Sequence, residues 1–162
     1  MRASILVFSG ALCFLAPQLI NAQCLVDSRP PTRSSKARLT IKIDDVTDLG
    51  RPVLAEFSLV NTSKEAISMA KTFVERDYEV HAFDATGAEL PLTPYGKRIR
   101  TPPIVDFRVI EEILEPGGTA TASEDVSRVY DFSRPGAYSL VACRETQETG
   151  PLSSDRVLFQ LK

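Results

Sequence analysis

Arg38-Leu-Thr-Ile-Lys-Ile43 and Pro52-Val-Leu-Ala-Glu-Phe-Ser-Leu59 are apolar at every second position. Leu39, Ile41 and Ile43 alternate with Thr40, Lys42 and Asp44, and Val53, Ala55, Phe57 and Leu59 share a face opposite Glu56 and Ser58. A period of two is that of a β-strand with one face on a core. The same pattern returns at Tyr78, Val80 and Ala82, at Val105, Phe107 and Val109, at Thr119 to Ala122, at Tyr138, Leu140 and Ala142, and at Val157, Phe159 and Leu161. Turn signals lie between these runs: Asn61-Thr62-Ser63, Asp84-Ala-Thr-Gly87 and Glu115-Pro-Gly-Gly118. Residues Ile67 to Phe73 admit either a short strand or a helical turn. No long stretch keeps helical periodicity, so the expected fold is an all-β sandwich or barrel of seven or eight short strands.

Tyr130-Asp-Phe-Ser-Arg-Pro-Gly-Ala-Tyr138-Ser-Leu140 narrows this reading. A Pro-Gly turn, a tyrosine and an apolar residue two places on resemble the tyrosine corner of immunoglobulin-like sandwiches, which assigns Tyr138 a structural role. Leu140 stands where antibody domains carry a cysteine, and the chain has no tryptophan. With Leu114-Glu-Pro-Gly-Gly and Val129-Tyr-Asp-Phe-Ser, the segment resembles secreted bacterial immunoglobulin-like domains. These include the noncatalytic N-terminal regions that precede some deuterolysin-type metallopeptidase domains. The likeness implies an immunoglobulin-like antiparallel β-sandwich. It carries no catalytic role, because the His-Glu-Xaa-Xaa-His of those peptidases is absent.

Upstream of the first strand, Arg2 is followed by an apolar run from Ile5 to Ala16 and a polar turn ending at Asn21-Ala22. That order is a secretory signal, and about 12 apolar residues are too few for a bilayer-spanning helix, which needs roughly 20. Cleavage after Ala22 is expected to leave Gln23 first, an extended lead-in over residues 23–35, and one domain over 36–162 of a secreted or periplasmic protein. No integral membrane segment is expected after processing.

The 162 residues carry 19 basic and 21 acidic side chains; Arg2 is the only charged residue of the signal, so the processed chain has a formal charge of about −3. This balance gives no reason to expect nucleic acid as a partner. Of three cysteines, Cys24 and Cys143 survive processing, and an even pair in an oxidising compartment is expected to form a disulfide. Such a bridge is worth about 4 to 5 kcal/mol in the chain-entropy model. Cys143 has the opposite parity to Tyr138 and Leu140, so it should face away from the core, within reach of the lead-in.

Chemistry-bearing residues are sparse. His81 is the sole histidine and lies with Glu79 on the polar face of its strand, which predicts an exposed side chain and no zinc site. Ser68-Met-Ala-Lys71 matches Ser-Xaa-Xaa-Lys, but its partner motifs are missing. The acidic pairs Asp44-Asp45, Glu111-Glu112 and Glu124-Asp125 lack calcium-loop spacing and read as solvated charge. Asn61-Thr62-Ser63 is formally a glycosylation acceptor. No catalytic residue, metal ligand or cofactor site is expected. The candidate binding loop spans residues 93–103, with Tyr95, Lys97, Arg98 and Arg100 on a proline-stiffened segment. The resulting expectation is a noncatalytic exported binding module that contacts another protein or an extracellular ligand. Its alternatives are a small protease inhibitor acting through that loop and, less favoured, an enzyme with an unfamiliar site.

Overall fold

The computed structural model describes residues 34–101 and 110–162. The signal segment, Cys24, most of the lead-in and the Val105-Phe107-Val109 strand fall outside the described residues. β1 (Ala37–Ile43) pairs antiparallel with β3 (Leu54–Asn61), setting Leu39 opposite Leu59 and Ile41 opposite Phe57. The apolar faces of the two strands therefore coincide. β3 also pairs with β7 (Thr119–Asp125), completing the sheet β1-β3-β7.

The second sheet runs β2 (Val46–Thr47), β10 (Val157–Leu161), β8 (Gly136–Thr146) and β5 (Glu79–Asp84), with β9 (Gly150–Ser153) on the far half of β8. Its pairings are antiparallel except for two residues of β2 against β10. Inner-face residues of both sheets, Phe57, Leu59, Val80, Ala82, Leu140 and Phe159 among them, form one buried core. Each fully buried large side chain of this kind contributes roughly 1.5 to 3 kcal/mol. Phe57 stacks on Tyr78 with ring centroids 4.8 Å apart. The fold is an immunoglobulin-like β-sandwich.

The ambiguous stretch after β3 contains both alternatives in succession. β4 (Ile67–Lys71) buries Ile67 and Met69 and pairs with β6 (Ile110–Leu114) as a separate two-stranded sheet. One helical turn follows, α1 (Val74–Asp77), tied down by the Asp77 carboxylate, which accepts from the Thr72 amide and hydroxyl. The Asp84–Gly87 turn is held similarly. Asp84 Oδ1 accepts from the Thr86 amide and hydroxyl and the Ala88 amide, while Gly87 takes a φ of 84°, a region that favours glycine.

Candidate functional site

The segment expected to be a stiff loop is helical in its first part. Thr93 caps α2 (Pro94–Arg100) by accepting from the Gly96 amide at 3.0 Å, and Pro94 stands where its missing N–H costs nothing. The helix packs closely. A Cβ on Gly96 would run into the Val129 carbonyl. Residues 102–103 of the expected loop lie outside the described residues.

The four candidate binding residues separate on this helix. Lys97 and Arg98 are exposed, whereas Arg100 turns inward. Its guanidinium donates to Glu79 Oε1 at 2.6 Å, to the Val80 carbonyl, and to the Tyr130 hydroxyl at 3.3 Å. The Tyr130 hydroxyl is shared between the Val80 carbonyl at 2.8 Å and Glu89 Oε1 at 3.1 Å. His81 Nδ1 meets the same Glu89 oxygen at 2.8 Å, and Nε2 stands 3.5 Å from Glu79 Oε1 without a hydrogen bond. Glu79, Arg100, Tyr130, Glu89 and His81 thus close a ring along the edge of β5. Contact with His81, followed by Arg100, holds the Glu79 carboxyl below its ordinary range.

Two expectations are corrected here. Arg100 is a structural clasp on the edge of β5 and not a surface contact, and the His81 side chain is only 15% exposed, held between two carboxylates. Burial pushes the Tyr130 phenol well above its ordinary value, so this hydroxyl holds its proton and serves the Val80 carbonyl.

Tyr95 points the other way. Its hydroxyl donates to Glu75 Oε1 of α1 at 2.8 Å, and its ring carries the guanidiniums of Arg98 and Arg128, 5.3 and 4.5 Å from the centroid. Arg128 comes from a short 3-10 turn, Val126–Arg128, whose Asp125 cap accepts from the Ser127 amide and hydroxyl. The Thr93 hydroxyl donates to the Arg128 carbonyl at 2.5 Å, joining this turn to the start of α2.

Beside that joint lies an open cleft of about 360 Å³, lined by Arg51, Thr93, Asp125, Ser127, Asp131 and Ser133 with the buried Phe132 and Tyr130 at its wall. His81, Glu79 and Glu89 do not line it. On β7, which packs against α1, Glu124 is 8% exposed, and its Oε2 has no hydrogen-bond partner among the described residues. Burial, then the nearby Glu75 charge, raises its pKa from 4.5 to about 7. This corrects the solvated reading of that acidic pair.

The remaining motifs resolve structurally. Ser68 Oγ bonds Glu111 and Lys71 pairs with Glu112 at 2.9 Å, so serine and lysine face different partners and form no catalytic couple. Asn61 is 1% exposed, and its Nδ2 donates to the carbonyls of Glu65 and Leu114, both at 2.8 Å, leaving it closed to a glycan. Cys143 is buried with Val141 and Phe83 on the face of β8 opposite the main core. Among the described residues, no group of three or more His, Cys, Asp or Glu side chains could hold a metal ion, and no helix is long and apolar enough to cross a membrane.

The geometry defines a class, an immunoglobulin-like sandwich with a polar cleft at one end of its two sheets. No protein-family model matches the chain, and no curated protein does. Solved structures give distant likenesses. A mutant β-glucosidase from Listeria innocua in complex with laminaribiose is 14% identical over 79% of this chain, with a TM-score of 0.42, and the chain spans 16% of that enzyme's length. A CARDB domain from Pyrococcus furiosus, in complex with di-metal ions, is 10% identical over 83% of this chain and 95% of its own, with a TM-score of 0.42. An alkylpurine DNA glycosylase from Pseudomonas fluorescens bound to DNA is 12% identical, with a TM-score of 0.40 over 79% of this chain and 31% of that one. Likenesses of this size carry no argument about function.

Proposed function

We propose that this protein is an exported, noncatalytic binding module whose ligand sits in the cleft between Gly50–Val53 and Asp125–Ser133. The cleft itself supports this reading most directly. Loops and strand ends from both sheets converge there, a usual place for recognition on a rigid sandwich, and they bring hydroxyls, carboxylates and Arg51 to one opening. Of the ring at the β5 edge only Tyr130 reaches the cleft wall; His81, Glu79 and Glu89 do not line it. α2 also weakens the inhibitor reading, since a helix does not offer an extended loop to a protease cleft.

Export rests on the charged, apolar and small-residue order of residues 1–22. Mass spectrometry of the exported protein is expected to find Gln23 at the N-terminus. Cys143 is proposed to pair with Cys24, supported by its position on the outer side of β8, away from the main core. Non-reducing peptide mapping should recover the linked pair.

The binding reading is tested by affinity capture from the exported fraction, comparing the native protein with Ser133→Trp, which fills the cleft from an exposed position. A partner retained by the first and lost by the second is the expected result. Equal capture by both refutes the cleft. The enzyme alternative makes a different demand: turnover of a substrate that disappears in His81→Ala while the fold persists.

A further inference from the structure

The processed chain is acidic overall, yet two guanidiniums gather over one ring. Lys97 and Arg98 project from α2 and Arg128 from the 3-10 turn; all three are exposed, and none makes an ion pair with a described residue. Arg100, by contrast, is neutralised by Glu79. The two guanidiniums rest on Tyr95, whose hydroxyl is fixed by Glu75, so their positions are set before any ligand arrives. Their distances to a common centroid limit the separation of the guanidinium carbons to about 10 Å. That span suits two carboxylates on neighbouring residues of an extended chain, or one carboxylate shared between two forks.

We propose that the face formed by Tyr95, Arg98 and Arg128 binds an acidic peptide segment of a protein partner. The inference rests on the binding-module reading and gives its partner a chemistry. Guanidiniums match carboxylates in planar, two-point hydrogen bonds, which a surface lysine cannot supply. The aromatic surroundings favour peptide over sugar or nucleic acid. The Tyr95 ring carries cations, and Tyr130 and Phe132 at the cleft wall are buried, so these rings offer no open face for stacking a sugar or a base. Thr93 links this face to the cleft, since it lines the cleft and bonds the Arg128 carbonyl. A segment anchored on the arginines by its carboxylates can therefore continue into the cleft with uncharged or basic residues, since Asp125 and Asp131 there repel acidic ones.

The test uses the processed full-length protein and a fluorescein-labelled octaglutamate peptide at about 10 mM salt, where the screening length is roughly 30 Å. Binding is expected, weakening as salt rises, and the double variant Arg98→Gln/Arg128→Gln should lose at least about tenfold in affinity. Circular dichroism of the variant should be unchanged, because neither side chain is buried. Absence of octaglutamate binding overturns the proposal, as does equal affinity in the double variant. Tighter binding of an oligogalacturonate of the same charge overturns the peptide assignment. Capture of a partner that is sensitive to Ser133→Trp but not to the arginine pair leaves the binding module standing and removes this face from it.

Discussion

The Tyr138 hydroxyl donates to the Arg134 carbonyl at 2.6 Å, closing the turn over residues 134–138 at the point where the chain enters β8. The ring beneath that bond packs edge-on against Phe132, centroids 5.2 Å apart, and lies beside Phe159 of β10. One side chain therefore fixes both the entry angle of the longest strand and a corner of the core. Tyr138→Phe keeps the ring and removes the bond. Urea unfolding should show a loss of about 1 kcal/mol with an unchanged m-value. Tyr138→Ala removes the packing as well and should cost about 3 to 5 kcal/mol.

Asn61 ends β3 as a buried polar hub. Its amide nitrogen serves the Glu65 and Leu114 carbonyls, and its oxygen accepts from the Ser63 amide and hydroxyl. It thereby joins the β3–β4 turn to the end of β6. Asn61→Ala takes this partner from the Leu114 carbonyl in a buried setting, a cost of about 1 to 3 kcal/mol, while the Ser63 amide keeps the Lys36 carbonyl and the Ser63 hydroxyl keeps the Glu65 carbonyl. Thermal unfolding of the variant should start well below that of the native protein. An unchanged midpoint would mean that water replaces the amide.

Alternation made most of the strands legible, because parity alone decides which side chains leave water. It would also have buried Glu124, which shares a face with Ala120 and Ala122 in β7, had the acidic pair not been read as solvated. Thr93-Pro94 is likewise a local helix-start signal, obscured by the prolines that follow at 102 and 103. The role of Arg100 was not local. Its partners are the carboxylate and edge carbonyl of Glu79 and Val80, some twenty residues upstream, and strand order decides which edge is left to be capped. Arg128 joins Tyr95 only because a 3-10 turn follows β7 directly beside α2.

Gly96 tests how tightly α2 is seated. Alanine is the better helix former, so on propensity alone Gly96→Ala would stabilise by up to about 1 kcal/mol. The added methyl group instead meets the Val129 backbone, which is held by the Val126 carbonyl and cannot give way as a flexible side chain would. The steric effect should win, with a net destabilisation of about 1 to 3 kcal/mol. Hydrogen exchange should localise it to α2 and the 126–130 turn. Stabilisation would show that the helix can lift from that turn.

Glu124 gives the fold a pH dependence of known sign. The charges that bear on it are Glu75 of α1, Arg100 of α2, Arg128 of the 3-10 turn and Asp125 on its own strand, with burial the largest influence. Its folded pKa, about 7, lies above the ordinary 4.5, so between these values the folded chain keeps a proton that the unfolded chain has released. Stability from this group is therefore complete below pH 4.5, declines as pH rises through that window, and levels off above pH 7. The full decline is on the order of 3 kcal/mol. Glu124→Gln removes the titration while keeping the shape. The difference in unfolding free energy between variant and native protein should grow in favour of the variant from pH 5 to pH 8. A difference that stays constant across that range would place the ionised carboxylate in contact with water. Carbon-detected NMR of the Glu124 carboxyl, read through the same range, reports its midpoint directly.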